Sequence, residues 1–424
     1  MGILLTMLEK KIPQYRDEVK KLLAASGEKV VSSVTIDQVY GGLRGVTSLI
    51  CDTSYVNPEC GLLIRETPVM QLKDRLPEEL FFLLCTGELP NAEALADLQE
   101  ELKARSEVPG YAWDVLAAMP EDSHPMTMLS SLLLTLQRNS VFGRRYNQLT
   151  KQEYWRAVFE DSLQIIAKLP TIAAAIYRAK IREKRILYDP KLDMGANYAR
   201  MLGIPDPNGN FAKLMRLYLT LHCDHDAGNV SAFTASTVAS SLSDPYYAVS
   251  AGYNGLAGPL HGLANQETLR FLLEMRDAIG NHPTKEQVEK FVRDLLASGK
   301  VVPGYGHAVL RTADPRFVAF LEFGKTACPE DPLFSMAEKL YSIVPGILQA
   351  LGKVKNPWPN VDAISGTLLY HFGLTMQEYY TVPFAVSRAM GICAQMILNR
   401  GLMLPIMRPK SVSTESLKKE AGKK

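Results

Sequence analysis

The sequence is short of the residues that staple small or metal-bound folds. Its six cysteines are Cys51, Cys60, Cys85, Cys223, Cys328 and Cys393, and no two form a C-x-x-C pair. That excludes a zinc knuckle or redox motif and points to a reducing compartment. Cys85, inside an apolar stretch, reads as core. Charge of one sign is also lacking: 47 Lys and Arg against 45 Asp and Glu leave a formal +2. No global field therefore draws the chain to nucleic acid or to a membrane surface, and any anion it binds must meet a local cluster. No uninterrupted apolar run reaches the roughly 18 residues of a spanning helix. No Arg-rich, acid-poor transit segment is visible. Residues 1–6 meet only the loose, short pattern for myristoylation, and the Lys-rich stretch 418–424 reads as a solvated tail.

What remains is a helical signal. At about 150 residues per domain, 424 residues suggest two or three domains and a core large enough to need no staple. In residues 14–25 Val19, Leu22 and Leu23 stand among charges, predicting a helix stopped by Ser26-Gly27. In residues 285–298 Val288, Phe291, Val292, Leu295 and Leu296 recur at helical spacing. Thr284 and Gln287 form a capping box before that helix, and Gly299 ends it. The stretches 163–178 and 382–398 are apolar around most of their circumference, as helices buried in a large α-protein are. Strand signals are few: a weak alternation over residues 30–39, and residues 61–65 pairing with residues 49–52 beyond Gly41-Gly42. The expected fold is mainly α with a small β-patch near the N-terminus. No alternation of strands and helices suggests a Rossmann sheet, and no Ser/Gly linker or 20–50-residue repeat divides the chain.

Only seven histidines are present. His261 and His307 stand in glycine-flanked turns, Gly258-Pro259-Leu260-His261-Gly262 and Pro303-Gly304-Tyr305-Gly306-His307. Glycine lets backbone approach a ligand closely, so two such loops suit acid–base work, although a single histidine in a turn is more often structural. His222-Cys223-Asp224-His225-Asp226 looks rich in ligands, yet Cys223 lies on another face and no third ligand motif follows, so no metal is expected. Asp362 follows a Pro-Trp-Pro turn at the start of a helix, where an N-cap role is the plain alternative to catalysis. Arg388 sits in an apolar helix, Arg311 and Arg316 follow the His307 loop, and Arg408 follows Pro405. A buried arginine needs an anion, and a small polycarboxylate would satisfy several at once.

Three long segments carry a resemblance. Residues 256–267, centred on Gly258-Pro259-Leu260-His261-Gly262, residues 302–311, centred on Gly304-Tyr305-Gly306-His307, and Asn360-Val361-Asp362-Ala363 resemble, in that order, the catalytic segments of citrate synthases. Residues 224–232, Ser243-Asp244-Pro245-Tyr246 and residues 379–388 are similar too, and the likeness runs from about Val39 to Ser413, closest to the eukaryotic, mitochondrial type. The resemblance implies a homodimer of a two-domain helical fold. Residues 1–262 and 374–424 would form the large domain, and residues 263–373 a small domain that closes over the site. It implies that Asp362 removes a methyl proton from acetyl-CoA, that His261 donates a hydrogen bond to the thioester oxygen, and that His307 polarises and protonates the oxaloacetate carbonyl. His225, Arg316, Arg388 and, from the partner subunit, Arg408 would hold oxaloacetate. Arg44, Lys151, Arg311 and Lys355 would meet CoA phosphates, and the backbone from Val301 and Val302 through Gly304 to Gly306 would hold the adenine. No cofactor is implied, since the CoA thioester is a substrate, and the implied compartment is the mitochondrial matrix.

Two positions depart from the pattern. Lys151 stands where an arginine is usual and keeps the charge without the fork. Ile364 stands where a histidine often follows the aspartate, outside the expected chemistry. Two other functions stay open at this point: a 2-methylcitrate synthase using propionyl-CoA with the same residues, and a non-catalytic scaffold. The intact set of His261, His307 and Asp362 argues against the scaffold, because a binder needs none of it.

Overall fold

The structure is a computed structural model that describes residues 2–306, 309–352 and 356–422. Helices dominate. Those that frame the argument are α1 (Ile3–Ser26), α2 (Pro77–Thr86), α3 (Tyr154–Lys180), α4 (Asn210–Leu221), α5 (Val230–Ser240), α6 (Pro245–Leu256), α7 (Ala264–Ile279), α8 (Lys285–Ala297), α9 (Pro315–Ala327), α10 (Pro332–Leu351), α11 (Asp362–His371) and α12 (Thr381–Gly401). The strands β1 (Ser54–Asn57), β2 (Gly61–Ile64) and β3 (Thr67–Pro68) form one antiparallel sheet in sequence order.

Two strand expectations are corrected. β2 pairs with Ser54–Asn57, Ser54 opposite Ile64, and not with residues 49–52. The Asn57 side chain accepts the N–H groups of Glu59 and Cys60 at 2.8 and 3.1 Å, closing a tight hairpin whose short loop costs less ordering than a longer connection. Residues 30–39 form no strand. Thr35 and Gln38 make a reciprocal capping box that starts the short helix Ile36–Tyr40 instead. The first helix begins at Ile3 and passes through Pro13, burying Leu4, Leu8 and Ile12, while Leu22 and Leu23 stay exposed.

The other helices form as their sequences predict. α8 starts on the Thr284–Gln287 capping box. α12 lies at the centre, packed on α2, α3, α4, α5 and α6, and most of its side chains are buried. By length and composition it could cross a membrane, but 94% of its most apolar stretch is buried inside the protein. A helix apolar all round needs such a sheath. α7, α8, α10 and α11 pack on one another, α9 packs on α11, and α9 and α11 also touch α4.

One face of α12 is moulded to the segment 222–226. Arg388 Nε donates to the His222 carbonyl at 3.2 Å, Gly391 N–H to the Cys223 carbonyl at 3.0 Å, and Gln395 Nε2 to Asp224 Oδ1 at 2.9 Å. Only a glycine fits between: a Cβ on Gly391 would stand 2.5 Å from both Asp224 Oδ1 and the Cys223 carbonyl oxygen. Gly391→Ala is therefore expected to lower the unfolding free energy by about 1–3 kcal/mol through overpacking. Urea denaturation followed by circular dichroism measures it, and an unchanged midpoint would show that the segment can yield.

Candidate active site

His261 hangs in the turn between α6 and α7. Its N–H donates to the Gly258 carbonyl at 3.0 Å, and Gly262 is required beside it because a Cβ there would meet the Leu256 carbonyl oxygen at 2.1 Å. His261 Nε2 faces the first turn of α5, 3.2 Å from the Ser231 N–H and 2.9 Å from Ser231 Oγ. A backbone N–H can only donate, so Nε2 is the bare acceptor nitrogen and the ring proton sits on Nδ1. Burial first, and the Arg388 charge second, push His261 down to about 4. It is a neutral imidazole that offers one N–H, which is what polarising a carbonyl oxygen requires.

Arg388 is the buried cation. Its guanidinium lies 5.0 Å over the Phe384 ring, whose edge also meets His222 and His261 at 5.2 and 6.2 Å between centroids. Nε is satisfied by the His222 carbonyl, but the buried Nη1 has no hydrogen-bond partner among the described residues. Burial works against the charge and Asp224 supports it. Asp224 is itself fully buried and held by Thr53, Ser54 and Gln395. His222, which sequence alone offered as a ligand, instead stacks on Tyr218 at 4.2 Å and donates Nδ1–H to the Tyr218 carbonyl at 2.9 Å. Burial, with Arg316 next, pushes it down to about 3, so it adds no charge. No cluster of His, Cys, Asp or Glu fit to hold a metal occurs among the described residues.

Arg316 and Asp362 face this group from α9 and α11. Arg316 forks onto Asp314, Nε to Oδ1 at 3.1 Å and Nη2 to Oδ2 at 2.7 Å. Burial opposes its charge, but Asp314 and then Asp362 more than offset that. Asp362 is not the cap of its helix: Asn360 Oδ1 accepts the Asp362 N–H at 3.0 Å, leaving the Asp362 carboxylate uncommitted to capping. Burial lifts Asp362 to about 6, with Arg316 pulling it down and Asp314 pushing it up.

The loop before His307 is tied to the same helix. Gly304 carries φ +77°, and a Cβ on it would lie 2.7 Å from the Ala363 Cα. Its carbonyl accepts the Asn360 N–H at 2.9 Å, Gly306 N–H donates to the Trp358 carbonyl at 3.0 Å, and Asn360 Nδ2 donates to the Gly306 carbonyl at 3.2 Å. His307 and Lys355 lie outside the described residues.

Of the expected site residues, Arg388 lies close enough to lower His261, and Arg316 to influence both Arg388 and Asp362, through charge across the buried interior. His225 is half-buried beside them, its Nδ1 3.8 Å from Asp226 Oδ2. Arg44, Lys151 and Arg408 are exposed, Arg44 and Arg408 in segments without regular structure at their positions. Arg311 donates to the Val309 and Leu310 carbonyls, 2.8 Å each, while Val301 is exposed and Val302 buried. Asp314, Ser231 and Phe384 are not singled out by the sequence, and Asp224 appears there only within the ligand-rich run 222–226. Asp314-Pro315 reads as an ordinary helix start, and Asp314 does accept the Arg316 N–H at 2.9 Å while also holding the guanidinium.

Comparison with known proteins places the chain as a whole. A family profile described as "Citrate synthase, C-terminal domain" matches residues 42–410. The chain is 46% identical to "Citrate synthase, mitochondrial" of Daucus carota, over 99% of this chain and 91% of that one. It is 45% identical to "2-methylcitrate synthase, mitochondrial" of Yarrowia lipolytica, over 97% and 91% of the two chains. The crystal structure of citrate synthase from Pyrobaculum aerophilum superposes with a TM-score of 0.79 at 28% identity, covering 91% of this chain and 95% of that one.

The His261 tautomer is directly observable. Long-range ¹H–¹⁵N NMR, assigned by difference from His261→Asn, is expected to show a protonated Nδ1 and a bare Nε2 at pH 7, with no titration until the pH nears 4. An imidazolium at pH 7 would overturn the assignment.

Proposed function

The chain belongs to the citrate synthase family, and we propose that Asp362, His261 and His307 carry the chemistry of its reaction. It condenses acetyl-CoA with oxaloacetate and hydrolyses the citryl thioester to citrate and CoA. Asp362 takes a proton from the acetyl methyl group while His261 donates its Nδ1–H to the thioester oxygen, so the enol forms without a full negative charge on oxygen. The enol carbon then attacks the oxaloacetate ketone, and His307, by its place in the resemblance, protonates the developing alkoxide. The buried, unfilled Nη1 of Arg388 is the observation that supports this best. A buried cation without a full partner set is costly unless an anion completes it, and a dicarboxylate is such an anion.

A carboxylate is a weak base for so poor a carbon acid. Burial makes Asp362 stronger by lifting it to about 6, and the neutral His261 supplies the complementary donor. The bond changes are redox-neutral, and we propose no cofactor. His225, Arg316, Arg388 and the partner subunit's Arg408 are the proposed oxaloacetate ligands. Arg44, Lys151, Arg311, Lys355 and the backbone from Val301 to Gly306 are the proposed CoA ligands. The exposure of Arg44, Lys151 and Arg408 suits contacts completed by substrate or by a second subunit. We propose the homodimer as the working unit, residues 263–373 as the closing domain, and the mitochondrial matrix as the compartment, the curated relatives both being named mitochondrial.

The likeness to a 2-methylcitrate synthase keeps propionyl-CoA as the second reading. One methylene changes pocket binding by only about 1–3 kcal/mol, and the acid–base set would be shared. Thiol release with each acyl-CoA, with and without oxaloacetate, decides between them; the acetyl reading fails if propionyl-CoA is turned over better.

Asp362→Asn is expected to cut kcat by roughly 10²–10⁴-fold while calorimetric oxaloacetate binding stays within about twofold. In the wild type, kcat/KM for acetyl-CoA should fall as pH drops below about 6, where the base becomes protonated, rather than below 4. Near-normal turnover by the variant would refute the role of Asp362 as base.

A further inference from the structure

The hairpin of β1 and β2 meets the two arginine-bearing helices at opposite ends. At its base, the Thr53 and Ser54 hydroxyls donate to Asp224, the counter-charge of Arg388, and Ser54 Oγ accepts the Asp226 N–H at 2.7 Å. At its tip, the Pro58 carbonyl accepts the Arg311 N–H at 2.8 Å, and the Glu59 carbonyl accepts the Thr312 hydroxyl at 3.3 Å. Gly61, opposite Asn57 where the tip turns back into β2, lies against Pro315, the first residue of α9. The chain neighbours of Pro315 are Asp314 and Arg316, the buried pair joined by the carboxylate–guanidinium fork. A proline at the first helical position has a fixed φ, so a push on its ring is passed to the residues on either side.

Arg316 and Arg388 are both buried cations. After burial and Asp224, the charge of Arg316 is the next influence on Arg388, and it is repulsive. Like charges brought into one interior keep their places only if the backbone beneath each is held. Gly61 is where the hairpin presses on α9. Its φ is +86°, and a Cβ placed on it would stand 2.4 Å from Pro315 Cγ and 2.5 Å from Cδ. Carbon atoms pack at about 3.5–4.0 Å, so an added methyl would drive Pro315 back by roughly 1 Å.

We propose that Gly61 is a positioning residue for oxaloacetate: its bare α-carbon seats Pro315 and so sets Arg316 at the spacing from Arg388 that a dicarboxylate bridges. This role rests on the proposed role of both arginines as oxaloacetate ligands. Gly61 touches no substrate and acts only through Pro315 and the Asp314–Arg316 fork.

The test is calorimetric titration with oxaloacetate of Gly61→Ala, of Gly61→Ala combined with Pro315→Ala, of Asn57→Ala and of Arg316→Gln, with thermal unfolding of each as the check on folding. Gly61→Ala is expected to bind at least about tenfold more weakly, the loss of one hydrogen bond to a charged group. Combining it with Pro315→Ala removes the Cγ and Cδ atoms and leaves the Cβ of residue 315 at 3.7 Å, an ordinary contact, so most of the binding should return. The strain of an alanine at positive φ is common to both variants and cannot produce such a recovery. Asn57→Ala frees the tip without adding an atom and is expected to weaken binding in the same direction, which keeps the test decisive if Gly61→Ala does not fold. Wild-type affinity in folded Gly61→Ala, a loss that Pro315→Ala does not restore, or wild-type affinity in Asn57→Ala would each overturn the proposal. Arg316→Gln separates two failures. If it binds as the wild type does, the reading of Arg316 as a ligand falls and the role of Gly61 with it; if it binds weakly while Gly61→Ala binds normally, the role of Gly61 alone falls.

Discussion

A guanidinium held deep in an apolar helix, with one N–H set left unfilled, is the constraint around which the site is built. Arg388 is 1% exposed, and burying a charge is costly unless its surroundings are arranged for it. The arrangement is extensive. The His222 carbonyl takes Nε, the Phe384 ring underlies the guanidinium, and Asp224 supplies the counter-charge from a cage of Thr53, Ser54 and Gln395. The absence of a side chain at Gly391 lets that segment press against α12. Among the described residues nothing in this cluster takes the buried Nη1.

The same burial sets the two proton-handling groups in opposite directions. Losing water penalises a charged imidazole, so His261 stays neutral at physiological pH, and Arg388 strengthens the effect. Losing water also penalises a carboxylate, so Asp362 rises, restrained by Arg316. The opposite shifts reverse the usual order of the two groups, placing the carboxyl above the imidazole, so that the carboxylate can act as base beside a neutral donor. His222, the more deeply buried of the two histidines, stacks on Tyr218 and donates Nδ1–H to its carbonyl, while its buried Nε2 has no hydrogen-bond partner among the described residues.

Much of this was legible in the amino-acid order. The His261 and Asp362 segments, the buried arginine of an apolar helix and the capping box of α8 all rest on local chemistry that a linear pattern expresses. The β-patch was legible in place but not in pairing, because residues 49–52 and 54–57 are both able to extend and the Asn57 turn decides between them. Residues 30–39 read as a strand from their weak alternation, whereas the reciprocal Thr35–Gln38 capping box starts a helix there. The roles of Asp314 and of Asp224, which the sequence shows only as one member of a ligand-rich run, are hidden for a different reason. Each lies beside a residue that was read for itself, and their value depends on a guanidinium brought to them by another turn or another helix. Ser231 is the same case: nothing in its neighbourhood tells that a histidine 30 residues later will present Nε2 to its N–H.

We propose that Arg388 is buried for a dicarboxylate rather than for the fold, and calorimetric titration of Arg388→Met with oxaloacetate separates the two. The variant should fold with a cooperative thermal transition, since an apolar side chain can replace a buried charge at little cost. It should bind oxaloacetate at least about 100-fold more weakly, the loss expected when charge-assisted hydrogen bonds to a carboxylate are removed. Undiminished oxaloacetate binding by the folded variant would contradict the claim and return Arg388 to a purely structural role.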